Sequence, residues 1–169
     1  RKVFIDRENE IWVGTFGAGL VQVTEKYIHH YELNSKIRTG GVNAVGQLNH
    51  TNLVIGTDNG LVRTYHSNDI DSLNFEYSSY LEGEKIMSLV HTKTGEIWVG
   101  TDRNGIFKFS MDLENMEKID IGKTDGMFES VRYITEDLEG NIWASLKGNG
   151  VIKINPKSNL IEKRYNPRN

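Results

Sequence analysis

The chain contains no cysteine. Disulfides, Cys-ligated zinc and a thiol nucleophile are thereby excluded, while either side of a membrane stays compatible with the composition. No apolar run approaches the roughly 20 residues needed to span a bilayer, so no membrane contact is expected from this segment. An excess of charge of either sign is also lacking. A formal net charge of -3 gives no general electrostatic reason to expect nucleic-acid binding. The opening residues, RKVFIDRENE, read as a strand and not as a signal peptide. No HExxH, Gly-rich phosphate loop or EF-hand pattern occurs, so neither a metal nor a cofactor is expected.

Proline is confined to Pro156 and Pro167, against seventeen glycines. Those glycines recur at fixed offsets. Four segments align: EIWVGTFGAGLVQVT from Glu10, NLVIGTDNGLVRTY from Asn52, EIWVGTDRNGIFKFS from Glu96 and NIWASLKGNGVIKIN from Asn141. Gly14, Gly56, Gly100 and Ser145 close the apolar run in each, at intervals of 42, 44 and 45 residues. That period suits propeller blades. Strand-like segments precede each core at Val3–Asp6, Val42–Leu48, Ile86–Thr92 and Val131–Asp137, the first being the shortest. Outer strands are predicted near 27–31, 73–77, 116–121 and 160–165.

Turn chemistry agrees with this division. Asn9, Thr51, Gly95 and Gly140 fall in the first hairpin of each unit, and Gly19, Gly60, Gly105 and Gly150 end the next turn, where a left-handed backbone suits a residue without Cβ. Trp12, Trp98 and Trp143 share one repeat position, with Val54 replacing the aromatic. Their place within a strand predicts packing between blades, and the glycine that follows leaves room for a neighbouring sheet. Ser145 and Leu146 depart from the glycine-threonine pair, so the fourth repeat should pack or turn differently. The predicted fold is all-β: four four-stranded antiparallel repeats over 2–33, 41–79, 85–122 and 130–165, within one propeller-repeat region of residues 1–169. Propellers contain four to eight blades. The short first inner strand and complete last outer strand favour an open segment, completed within a larger propeller or by another chain.

IMSLVHTKTGEIWVGTDRNGIFKF and VRYITEDLEGNIWASLKGNGVIKI carry a resemblance. The chain resembles the two-component regulator propeller repeat along essentially its whole length. Asp6 and Asp137 match the acidic position of that pattern, whereas Leu48 and Thr92 do not. The resemblance implies a non-catalytic, periplasmic or otherwise extracytoplasmic sensory module of a bacterial two-component system. It further implies that an intact parent carries histidine kinase activity elsewhere, and that an oligosaccharide is the ligand class. A protein-interaction or assembly scaffold is the alternative reading. A propeller lyase or glycosidase would need a positioned carboxylate pair, which the scattered acidic residues do not define.

Candidate ligand contacts lie where the turns between the second and third strands meet the connections between blades. Phe16, Asp58, Asp102, Arg103 and Lys147 belong to the turns, and Arg38, Tyr80, Lys85 and Phe128 to the connections. Aromatic faces cover apolar sugar surfaces, while Arg, Lys and Asp fix hydroxyl or acidic groups. Asp58 and Asp102 are also expected to bond backbone amides within their own turns. Adjacent His29 and His30 should point to opposite faces of a strand, which is poor geometry for a shared metal.

Overall fold

A computed structural model describes residues 2–16, 19–24, 27–32, 40–49, 51–66, 73–77, 81–124 and 127–166. The chain forms two compact units, residues 1–86 and 87–169. The first holds a sheet of β1 (Lys2–Ile5), β2 (Ile11–Gly14), β3 (Leu20–Val23) and β4 (Ile28–Tyr31), here blade 1. Blade 2 follows as β5 (Val42–Gln47), β6 (Leu53–Thr57), β7 (Gly60–His66) and β8 (Leu73–Tyr77). Blade 3 contains β9 (Ile86–His91), β10 (Ile97–Thr101), β11 (Ile106–Phe109) and β12 (Met116–Ile119). A small hairpin of β13 (Lys123–Thr124) and β14 (Met127–Phe128) leads to blade 4: β15 (Val131–Glu136), β16 (Ile142–Leu146), β17 (Gly150–Asn155) and β18 (Leu160–Tyr165).

All four blades are antiparallel meanders whose strands lie in chain order. The all-β, four-by-four expectation therefore holds. Strand β1 has four residues where β5, β9 and β15 have six, as the short first segment predicted. The outer strand of blade 3 stops at Ile119 instead of reaching 121, because Asp120 turns the chain. Its Oδ1 accepts the Gly122 N–H at 3.0 Å, and Gly122 has a φ of 81°. The hairpin β13–β14 was not foreseen.

The strand glycines are spacers between consecutive blades. A Cβ placed on Gly14 would lie 2.6 Å from Cγ1 of Val42, the first residue of β5. At Gly100 the same atom would lie 2.6 Å from Cγ1 of Val131, the first residue of β15. Both neighbours are β-branched and stiff at χ1, so neither gives way easily. Ser145 sits on the face of blade 4 opposite the buried Ile142, Ala144 and Leu146, and is itself partly exposed. Its Cβ is tolerated there.

Burial of the indoles follows the same logic. Trp12 packs with Val42, Val45, Leu53 and Ile55 in the first core, while Trp98 packs with Val131, Ile134, Ile142 and Ala144 in the second. Trp98 is completely buried, Trp12 nearly so, and Val54 fills the aromatic position in blade 2. Trp143 remains half-buried and stacks on Tyr165 with centroids 5.8 Å apart.

Candidate functional site

The two turn sets are built by threonines. Thr57 Oγ1 accepts the Asn59 N–H at 3.1 Å and donates to the Gly60 carbonyl at 2.9 Å. Thr101 does the same with Asn104 and Gly105 at 2.9 and 3.0 Å. Gly60 and Gly105 close these turns with positive φ. The expectation that Asp58 and Asp102 cap their own turns is corrected accordingly. Threonine already satisfies those backbone groups, which leaves both carboxylates to reach the connections between blades.

In the first unit Asp58 Oδ2 accepts the Gly41 N–H at 2.7 Å, and Oδ1 accepts the Asn43 amide at 2.9 Å. The Lys85 ammonium lies 2.8 Å from Oδ1. Partial burial opposes the charged carboxylate, but Lys85, Asn43 and Gly41 outweigh it and hold the Asp58 pKa at about 2. Phe16 is 70% exposed. A Cβ at Gly41 would be 3.3 Å from Phe16 Cδ2 and 3.0 Å from Asp58 Oδ2, so this glycine lets the ring and the carboxylate meet. Phe16, Asp58 and Lys85 thus share one strand end of this unit.

In the second unit the Ser130 hydroxyl donates to Asp102 Oδ1 at 2.9 Å, with an Arg132 guanidinium nitrogen 3.7 Å from the same oxygen. The Lys147 N–H donates to the Ser130 carbonyl at 2.8 Å, so Asp102 and Lys147 meet at this connection. Arg103 and Lys147 are exposed. Phe128 lies in β14, its side chain outside the described set. Arg38 and Tyr80 also lie outside the described residues. At its own turn-and-connection end the first unit offers an apolar ring beside a neutralised Asp–Lys pair. The second offers two exposed cations beside a held carboxylate.

One site component escaped the sequence reading. Glu129 is 5% exposed, accepts the Asn149 amide at 2.7 Å, and lies 3.6 Å from Arg164, whose guanidinium also donates to the Ile121 carbonyl at 2.8 Å. Arg164 is on the outer strand, 35 positions from Glu129, and no local pattern announces that pairing. His29 and His30 do face opposite ways, opposite Gln22 and Val21 respectively in the β3–β4 register. Among the described residues no group of three or more His, Asp or Glu is arranged to hold a metal, and no helix is long and apolar enough to cross a membrane.

No protein-family model and no curated protein matches the chain. Solved structures do. PorZ, an essential bacterial surface component of the type-IX secretion system of Porphyromonas gingivalis, superposes with a TM-score of 0.74 at 13% identity, over 100% of this chain and 27% of its own. The WD40 domain of Neurospora crassa Pan2 gives 0.68 at 10% identity, covering 98% of this chain and 49% of its own. The fold is that of propeller blades. The extracellular domain of a putative hybrid two component system from B. thetaiotaomicron shares it, with a TM-score of 0.62 at 22% identity over 89% of this chain and 19% of that domain. The chain spans about a quarter of PorZ and about a fifth of the two-component extracellular domain.

Proposed function

We propose that this segment belongs to the extracytoplasmic sensory input region of a bacterial two-component system, binds its ligand at the turn-and-connection rim, and performs no catalysis itself. The repeat, with its IWVGT cores, carries this reading. Its likeness in fold to a two-component extracellular domain supports it. The rim chemistry of each unit suits an oligosaccharide: in the first, Phe16 offers an apolar platform, and in the second, Arg103 and Lys147 present donors to hydroxyl or carboxylate groups. The scaffold strands keep one pattern while the turns differ, and an individual site on a repetitive scaffold is made that way. Calorimetry of the folded chain against a broad glycan panel tests the reading. Arg103→Ala and Phe16→Ala are each expected to weaken binding with little change in unfolding midpoint. Unchanged affinity in both folded variants sinks the rim assignment.

A second reading, assembly, is favoured by one observation. The face of blade 1 that carries Val3, Ile5, Ile11 and Ile28 is aliphatic and exposed, at 60%, 59%, 38% and 72%. In the same unit Trp12 packs with Val42, Leu53 and Ile55 of blade 2. A Trp-bearing face of a further blade of this repeat is the occupant that continues the established packing. Light scattering of the isolated chain should show association that Ile5→Lys abolishes; a monomer at all concentrations assigns the covering blade to the same polypeptide.

A further inference from the structure

At the opposite strand end, away from Phe16 and Asp58, each unit has a crevice between consecutive blades. In the first it is about 280 Å³ and is lined by Asp6, Glu10, Trp12, Gln22, Tyr31 and Asn52 among others. In the second it is about 530 Å³, and Glu96, Lys108 and Asn141 stand at the positions of Glu10, Gln22 and Asn52. The register makes the correspondence strict: Trp12 pairs with Gln22 across β2–β3, and Trp98 with Lys108 across β10–β11.

The second crevice holds its own ammonium. Lys108 Nζ is 2.8 Å from Glu96 Oε1, donates to the Pro156 carbonyl at 3.2 Å and Asn159 Oδ1 at 3.3 Å, and sits 5.6 Å from the Trp98 ring centroid. Lys153 repeats the placement over Trp143 at 5.9 Å. The first crevice replaces this lysine with neutral Gln22. Its amide donates to Glu10 Oε2, and its carbonyl accepts the Tyr31 hydroxyl at 2.9 Å. Burial first, and the Glu10 charge second, hold the Tyr31 phenol above its ordinary pKa. Asn52 Oδ1 is shielded from solvent and accepts no hydrogen bond from the described residues.

We infer that the crevice between blades 1 and 2 binds the primary ammonium group of a small organic amine, in the place that Lys108 fills within the second unit. Glu10 supplies the counter-charge, Asn52 Oδ1 and the Gln22 carbonyl accept N–H bonds, and the Trp12 and Tyr31 rings, stacked at 6.1 Å, cover the apolar body. Ammonium over an aromatic face next to a carboxylate is a favourable arrangement when partly desolvated. This site is separate from the rim proposed for glycans, so either can fail without the other.

The test titrates n-butylammonium chloride into the whole chain at pH 7 while the Trp12 indole N–H is followed by NMR, with n-butanol as the neutral isostere. A saturable shift with the amine and none with the alcohol is expected. Glu10→Gln should weaken binding by roughly tenfold or more, the scale of a lost charged hydrogen bond. Gln22→Lys should abolish it by installing the internal ammonium, and Lys108→Gln should create a second saturable response, at Trp98. No saturable shift in the natural chain, an equal response to n-butanol, or unchanged binding in Gln22→Lys overturns the assignment. A Gln22→Lys chain that does not fold overturns it as well, because the repeat argument requires lysine to fit there.

Discussion

Trp12 and Trp98 occupy one position of the repeat and solve its polar problem in different ways. Trp12 donates its indole N–H to Asp6 Oδ2 at 2.7 Å, while Oδ1 of the same carboxylate takes the N–H groups of Glu8 and Glu10 at 3.0 and 2.8 Å. Asp137 repeats this with Trp143 at 2.8 Å and the Glu139 and Asn141 amides at 3.0 and 2.8 Å. Thr92 takes the Asp6 position in the third repeat. Its hydroxyl accepts the Glu96 N–H at 3.0 Å but is too short to reach the indole, and Trp98 Nε1 is buried without a partner among the described residues. The acidic position of the repeat is therefore a hairpin-to-indole clamp. Where it is missing, the ring is buried deeper and relies on packing and the Lys108 ammonium.

The largest test of that comparison removes the rings. Trp98→Ala should cost about 3–5 kcal/mol, through lost transfer free energy plus a cavity. Trp143→Ala should cost less, about 1–3 kcal/mol, because its side chain is partly exposed before the change. Urea denaturation monitored by far-ultraviolet dichroism separates the two. Equal losses would break the link between indole burial and stability drawn here.

A smaller effect is expected at the spacers. Gly100→Ala drives a Cβ against Val131 Cγ1 and, at 3.1 Å, Ile134 Cδ1, an overpacking that should cost about 1–3 kcal/mol. Ser145→Ala, at the same repeat position but partly exposed, should change stability by less than about 0.5 kcal/mol. Comparable losses at both positions would remove the spacer argument.

Smaller again is a gain. Thr92→Asp places a carboxylate where Asp6 and Asp137 hold theirs, and satisfaction of the Trp98 indole should add about 1 kcal/mol. The gain must vanish on a Trp98→Phe background, which is a double-mutant cycle on one hydrogen bond. A gain that survives there belongs to the hairpin alone.

The sequence carried the fold because the repeat makes local signals redundant. Tryptophan, strand glycine and turn glycine recur together, and each has a local physical reason that the structure shows at Gly14–Val42 and Gly100–Val131. Of the candidate rim residues, Asp58 and Lys85 pair in the structure, while Ser130, which meets Asp102, carried no signal in the sequence. What those carboxylates do there was not legible, because it depends on Thr57 and Thr101 having already filled the backbone bonds of the turns. The Glu129–Arg164 pair and the Lys108–Glu96 contact were hidden for a related reason. Long side chains reach partners set by the stacking of sheets, and strand alternation fixes only the face from which they start.

The smallest expected effect concerns two carboxylates held low by different means. Asp58 owes its pKa of about 2 mainly to the Lys85 ammonium and the Asn43 and Gly41 donors, set against partial burial. Asp137 is held at about 2 first by the Trp143 indole, then by Asn141 and the Glu139 amide. Both values lie below the roughly 3.9 of an unfolded aspartate. Each carboxylate thus contributes stability that is complete above about pH 5 and is lost progressively as pH falls toward 2. For Asp58 the contribution is at most about 1 kcal/mol, since Lys85 is 41% exposed and solvent screens the pair. Asp58→Asn and Asp137→Asn should each flatten the decline of the urea midpoint between pH 5 and 2. Salt tells them apart. Raising sodium chloride to about 0.5 M shortens the Debye length to a few ångströms and weakens an exposed ion pair, so the share of the acid slope removed by Asp58→Asn should shrink. The share removed by Asp137→Asn should persist, because its partners are neutral donors. An equal response to salt in the two variants would show that the Lys85 charge does not set the titration of Asp58.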